Sequence, residues 1–392
     1  MKLGRDSMRV NWLEFENYTT GQKIERINFD KLNLLVGESG AGKTQILKIL
    51  SLYSNVIVKG QMIPFAGRFK IQFSVNQIII GYPNELDNKI FTWEIETNND
   101  HSLNTNSAFS YGITKELLWN DDFIIFARDE KNLTFLGKTI PNISSDKSIL
   151  NVFKNPTDIA NINSNFWEII SYFSQELGLS PMPLKDVNFF KQMFKGEFKT
   201  FGDLFGDLNN KRFLMRYSAL IKIFIVQEFF QEDYQLFFEK LKNIFPVIED
   251  IKVDVDENIK QYNLFIKENG QWIPKDEISA GMLKTIYILC VVEFSTNESV
   301  ILLDELENSL GVNCLDEITD YICEQSYNSS TQFILTSHHP YIISQIPENH
   351  WRIISQNNGI VSSKRAIDVG IDTSKNRQDK FFQYINFMKR RN

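Results

Sequence analysis

The residues with the clearest chemical purpose are Gly37, Gly42, Lys43 and Thr44, in the stretch GESGAGKT. They fill the pattern G-x-x-x-x-G-K-[ST]. Glycines let the backbone curl so that several N–H groups converge on an anion, and a helix start adds partial positive charge. A lysine at position 43 reaches β- and γ-phosphates, and the Thr44 hydroxyl is a ligand for Mg²⁺. The chemistry this predicts is the binding of a nucleoside triphosphate. Far along the chain, four apolar residues, Val300 to Leu303, end in two acids, Asp304 and Glu305. Asp304 is suited to hold Mg²⁺ through water, and Glu305 to polarise an attacking water as general base. His338, in FILTSHHP, is the candidate for touching the γ-phosphate or that water, whereas His339 is expected to have no functional role.

A third feature, ISAGMLKTIYIL at Ile278 to Leu289, opens a helix on Ser279, Ala280 and Gly281. Serine is a good N-cap, and glycine permits close backbone approach. A second anion-binding helix start is surplus if the first loop already holds the phosphates. It has a use if it serves the triphosphate bound to another copy of the chain.

These residues need elements to position them. Leu32 to Val36 reads as a buried strand leading into the loop, and Ile46, Leu47, Ile49 and Leu50 follow at helical spacing. Two short strands, VNWLEFENY and KIERINF, precede it. Alternation in FKIQFSV, QIIIGY and IFTWEIET, with the turn-rich GYPNELDN, predicts an antiparallel sheet beside the nucleotide. Residues 98–110 read as a polar loop, then DDFIIFARDE and NLTFLGKTI as two more strands. From about Asn151 to Phe245 the pattern turns helical, with thirteen Phe between Phe189 and Phe245. No heptad repeat is sustained, so no long coiled-coil arm is expected. Strands return in VIEDIKVDVDE and QYNLFIKENGQWIP. The expected organisation is an N-terminal half at 1–150, a helical insert at 151–245, and a C-terminal half at 246–392.

Composition narrows the class. A chain of 392 residues with 43% apolar and 23% charged residues is globular and larger than one compact domain usually is. A net charge of −7 argues against a uniformly basic nucleic-acid coat while leaving room for a local groove. Lys364-Arg365 and Lys389-Arg390-Arg391 are the basic clusters, expected to be solvated. Three scattered cysteines form neither a disulfide framework nor a zinc site and fit a reducing interior. MKLGRDSMRV lacks the apolar core of a secretion signal, and no uncharged run is long enough to span a bilayer. A cytoplasmic protein without membrane contact is expected. The greasiest segment, Phe213 to Phe230, carries Arg216, Lys222 and Glu228, and reads as a buried or interfacial helix.

The order GESGAGKT, ISAGMLKT, VILLDELENSLG, TSHHP resembles the ATP-binding-cassette ATPases. It is most similar to the branch containing SMC, RecF and OLD-type proteins and the bacterial "AAA family" ATPases of defence loci. The resemblance covers about 1–58 and 240–356. It implies an α/β fold: an ABC ATPase head, with a mixed sheet around a P-loop core and an antiparallel β lobe, here carrying a Phe-rich helical insert. It implies ATP and Mg²⁺ as cofactors. Gly37, Gly40, Ala41, Gly42, Lys43, Thr44 and Gln45 then line the triphosphate. Ser279 and Gly281 form the signature that contacts it across a dimer. Asp304 and Glu305 are the Walker B pair, Glu307 to Leu310 the D-loop, and His338 the switch histidine. Ala280 departs from the usual second signature glycine, and Gly311 stands where relatives often have histidine. Gln72 and Gln77 both remain open for the Q-loop.

The resemblance further implies a homodimer, or a higher homo-oligomer, closed around ATP. The long stretch between Lys43 and Ser279 disfavours a transporter subunit. Too few residues follow His338 for a TOPRIM nuclease domain. The expected role is a sensor or regulator ATPase in antiphage defence or DNA processing, acting on a separate effector. An HNH-type nuclease, as in Septu-type or retron-associated systems, is the nearest analogue, and nucleic acid is a further candidate partner. The alternatives are an ATP-locked scaffold with little turnover and, behind it, a transporter ATP-binding subunit.

Overall fold

The computed structural model describes residues 8–77, 87–99, 111–120, 123–153, 166, 169–172, 179–183, 198–206, 218–295, 299–372 and 375–389. The chain opens with β1 (Met8–Asn17), β2 (Lys23–Asn28) and the fully buried β3 (Leu32–Val36), followed by α1 (Lys43–Lys59). The long strands β4 (Gly67–Gln77), β5 (Asp87–Asn99) and β6 (Tyr111–Asn120) come next, then β7 (Ile124–Arg128), β8 (Leu133–Phe135) and β9 (Lys138–Ile140). After α2 (Ile149–Val152) and β10 (Ile169–Tyr172) lie α3 (Ala219–Phe229) and α4 (Gln231–Ile244). A small sheet, β11 (Asp250–Asp256), β12 (Gln261–Glu268) and β13 (Gln271–Pro274), precedes α5 (Ala280–Glu293) and β14 (Val300–Leu303). The chain continues through α6 (Val312–Asn328), β15 (Gln332–Thr336), α7 (Pro340–Gln345), β16 (Trp351–Asn357), β17 (Ile360–Arg365) and α8 (Arg377–Lys389).

Two compact units result. One comprises 1–171, 297–304 and 325–392, the other 172–296 and 305–324. In the first, fourteen strands among the described residues form one sheet in the order β10-β14-β15-β3-β16-β17-β2-β1-β4-β5-β6-β7-β8-β9. Strands β14, β15, β3 and β16 are parallel neighbours, whereas β1 and β4 to β9 form an antiparallel lobe. This is the expected α/β fold with its P-loop core and antiparallel lobe. Helix α1 carries Tyr53 onto Phe69 of that lobe, stacked at 3.8 Å, with Trp93 edge-on at 6.1 Å. The same cluster takes in Phe166, whose carbonyl accepts from the Ser54 hydroxyl at 2.9 Å. The helix that follows the glycine loop is thus fixed by aromatic burial.

In the second unit, α3, α4 and α5 pack around Phe201, Phe230, Phe237 and Phe294, with ring centroids 5.1 to 5.9 Å apart. This is the described part of the Phe-rich helical insert, and α3 is buried as expected of the greasy segment. Within 151–245, residues 154–165, 167–168, 173–178, 184–197 and 207–217 lie outside the described residues. So do 78–86, with most of QIIIGY and its turn, and 100–110 of the expected polar loop.

Several elements differ from expectation. Ile169–Tyr172 is a strand inside the stretch read as helical, because IISY is rich in β-formers and adds to the edge beside β14. Asn98 and Asn99 end β5 instead of opening the loop. NLTFLGKTI and QYNLFIKENGQWIP each fold into two strands; the second turns at Asn269 and Gly270, both with positive φ. Strand β6 was not expected from the sequence. Its Glu116 is fully buried, accepting from the Trp93 indole at 3.1 Å, the Ser148 hydroxyl at 2.6 Å and the Ile149 N–H at 2.9 Å. Arg128 lies 3.9 Å away and donates to the carbonyls of Ile143, Ser144 and Lys147. Burial pushes the Glu116 carboxyl up from its ordinary pKa, against these donors. Among the described residues no helix is long and apolar enough to cross a membrane.

Removing one partner of such a buried pair strands the other charge. Glu116→Ala is expected to lower unfolding free energy by about 3–5 kcal/mol, read by urea denaturation.

Candidate functional site

Strands β14, β15 and β3 are parallel and in register, with Leu303 beside Leu335, Leu335 beside Leu34, and Thr336 beside Leu35. Their carboxyl ends therefore meet at one edge of the sheet, the side where open α/β sheets bind ligands. The glycine loop leaves β3 there, Asp304 follows β14, and Ser337 and His338 follow β15.

The loop is shaped by close contacts. A Cβ on Gly37 would lie 2.3 Å from the Ile354 carbonyl oxygen of β16, and one on Gly42 would lie 2.8 Å from Val361. Gly42 also has φ 97°, and as the N-cap of α1 it has no side chain to occupy the first-turn N–H groups. The tip, Glu38 to Gly40, is exposed and Ala41 is buried. Lys43 is 5% exposed, and its Nζ donates to the Gly37 carbonyl at 2.9 Å and the Glu38 carbonyl at 2.8 Å. The Gln45 amide oxygen accepts from the Gln22 side chain.

Thr44 and Asp304, 260 positions apart, meet here: the Thr44 hydroxyl donates to Asp304 Oδ1 at 3.0 Å. The Thr336 hydroxyl donates to the same oxygen at 2.7 Å. A hydroxyl and a carboxylate are the hard oxygen donors that Mg²⁺ takes. Among the described residues no group of three or more His, Cys, Asp or Glu could hold a metal ion. The Thr44 and Asp304 oxygens alone would leave most of a Mg²⁺ shell to water and phosphate oxygens. His338 is exposed at the end of β15. The His339 ring instead caps α7, with Nδ1 accepting from the Tyr341 N–H at 3.3 Å, a structural role.

The second unit holds the other predicted residues. Ser279 is the exposed N-cap of α5, its hydroxyl accepting from the Met282 N–H at 3.3 Å. A Cβ on Gly281 would lie 2.6 Å from the Ser309 carbonyl oxygen, so only glycine fits between helix and turn. Glu305 sits in the left-handed region, φ 46°, as does Ser309, φ 65°. Such backbone needs outside support. Lys284 of α5, 2% exposed, supplies it: its Nζ donates to the Glu305 carbonyl at 2.8 Å and the Asn308 carbonyl at 2.7 Å. The sequence reading missed Lys284, although a lone lysine in an otherwise apolar helix is a signal that it has a buried task.

Residues 32–344 match the family model described as "AAA domain, putative AbiEii toxin, Type IV TA system". The chain belongs to this family. Among solved structures it is similar to an SMC head bound to the C-winged helix domain of ScpA: TM-score 0.50, 13% identity, covering 91% of this chain and 97% of that one. An SMC head with an extended coiled coil bound to the C-terminal domain of ScpA, derived from Pyrococcus furiosus, gives TM-score 0.49 at 13% identity, covering 92% and 97%. No curated protein matches. The chain thus carries the AAA domain of this family in a fold similar to that of SMC heads.

Lys284→Met removes the donor to two carbonyls. It is expected to cost about 1–3 kcal/mol in urea unfolding, with Lys284→Arg losing less.

Proposed function

We propose that the ATPase binds and hydrolyses ATP between two copies of itself and uses that cycle to control a separate effector. The observation that carries this reading is the meeting of Thr44 and Asp304 beside the glycine loop. Lys43 and the loop N–H groups, from Gly37 through Gln45, bind the β- and γ-phosphates. Thr44 and Asp304 would hold Mg²⁺, which would neutralise phosphate charge. Glu305 takes a proton from the attacking water, and His338 orients that water or the γ-phosphate. Ser279 and Gly281 come from the other copy. Their helix start is exposed, as a surface that caps a neighbour's triphosphate has to be.

In this reading the triphosphate's negative charge draws two positive walls together. Hydrolysis removes the attraction, and the pair relaxes. Energy of that kind drives assembly or motion. The family description, with its toxin and type IV toxin–antitoxin system, fits a defence setting. The effector is proposed to be a nuclease, of HNH type by analogy, and the setting antiphage defence or DNA processing.

The test combines turnover and mass. Wild type is expected to hydrolyse ATP and to gain dimer mass in light scattering when ATP and Mg²⁺ are added. Glu305→Gln is expected to lose turnover by about 100-fold or more, as loss of a general base does, while holding the dimer longer. Equal, slow turnover in both would replace the motor with an ATP-locked scaffold.

A further inference from the structure

Strand β15 lies between β14 and β3. Its last residue, Thr336, therefore adjoins both the strand that delivers Asp304 and the strand that enters the glycine loop. Leu303, the residue before Asp304, is in register with Leu335, the residue before Thr336. The two residues that follow meet: the Thr336 hydroxyl donates to Asp304 Oδ1 at 2.7 Å. Thr336 is 1% exposed, and its backbone pairs with Leu35 of β3. A β-branched side chain on a strand has few rotamers open to it. The donor is thus fixed by the sheet itself, and all of these residues belong to one compact unit.

Asp304 Oδ1 takes a second hydroxyl, that of Thr44, at 3.0 Å. The two donors are not equivalent. Thr44 stands at the start of α1, half-buried, and in the triphosphate reading its oxygen is a ligand for Mg²⁺. Thr336 is buried at the end of a strand and has no ligand to serve in that reading. Neither bond uses Oδ2. With Oδ1 held by Thr336, the carboxylate keeps one orientation, and Oδ2 would be left for a water of the Mg²⁺ shell.

We propose that Thr336 is a positioning residue for the Mg²⁺ carboxylate. It holds Asp304 in the orientation that takes the cation, and so sets how far Mg²⁺ tightens nucleotide binding. The inference rests on the triphosphate-binding reading and adds a residue which that reading does not use. Losing a group that orients a metal ligand costs about 10–100-fold in metal affinity or activity. A threonine that only satisfied its own buried hydroxyl would disturb the site equally with and without the cation. A positioning residue acts on the cation-dependent part alone.

The test uses the full chain and a non-hydrolysable fluorescent ATP analogue, with Kd measured in excess Mg²⁺ and again in EDTA. In the wild type Mg²⁺ is expected to tighten binding. Thr336→Val keeps the shape of the side chain and removes the donor. Its Kd in Mg²⁺ is expected to rise about tenfold or more, and its Kd in EDTA to stay within about twofold of wild type. Thr336→Ser, which keeps the hydroxyl, should stay within about threefold of wild type in both conditions. Thr336→Cys, a weaker donor, should fall between the two, and it carries the test if the valine variant does not fold. A Kd in Mg²⁺ that is unchanged without the hydroxyl, or that rises equally in EDTA, overturns this inference alone, provided Mg²⁺ tightens binding in the wild type. A wild type that binds no analogue, or binds it no better with Mg²⁺, overturns the reading of the site as one for triphosphate and Mg²⁺, and this inference with it.

Discussion

One carboxylate oxygen organises the nucleotide side of this ATPase. Asp304 Oδ1 receives the hydroxyls of Thr44 and Thr336, from a helix start and a strand end hundreds of residues apart in sequence. Asp304 is 6% exposed, so little water competes for these bonds. The oxygen can do this only because β14, β15 and β3 are parallel and in register. A one-residue slip of β14 would turn Asp304 to the other face of the sheet and dissolve the arrangement.

The second unit has its own fixed constellation. Lys284 and Gly281 both lie on α5, one bonding the Glu305 and Asn308 carbonyls and the other packing against Ser309. Helix α5 and the turn bearing Glu305 are therefore tied together by both contacts. A disturbance at the exposed Ser279 end would be carried to Glu305 by packed backbone, without a chain of loose side chains. That suits a residue whose φ of 46° persists only while its surroundings hold it.

Much of this was legible in the sequence, for a physical reason. Phosphate binding constrains backbone, and backbone constraint shows as glycine at fixed spacing. Buried parallel strands show as unbroken apolar runs, so β3, β14 and β15 were readable along with the polar ends that follow them. The strand β6 was not, because YGITKELLWN carries its buried charge, Glu116, in a setting that sequence reads as solvent. Donors distant in sequence, Trp93, Arg128, Ser148 and Ile149, make that burial tolerable. Lys284 showed only as a lone lysine in an apolar helix, with no sign of what it bonds. Its acceptors are carbonyls, which every residue has, and no side-chain pattern marks them.

The same asymmetry explains the loop lysine. Lys43 is nearly buried, and a buried ammonium group is costly unless it is bonded. The Gly37 and Glu38 carbonyls bond it within the loop itself. An acid in that position would compete with phosphate for the lysine and repel the incoming charge. Two neutral carbonyls hold the ammonium group in place and yield it to a stronger acceptor.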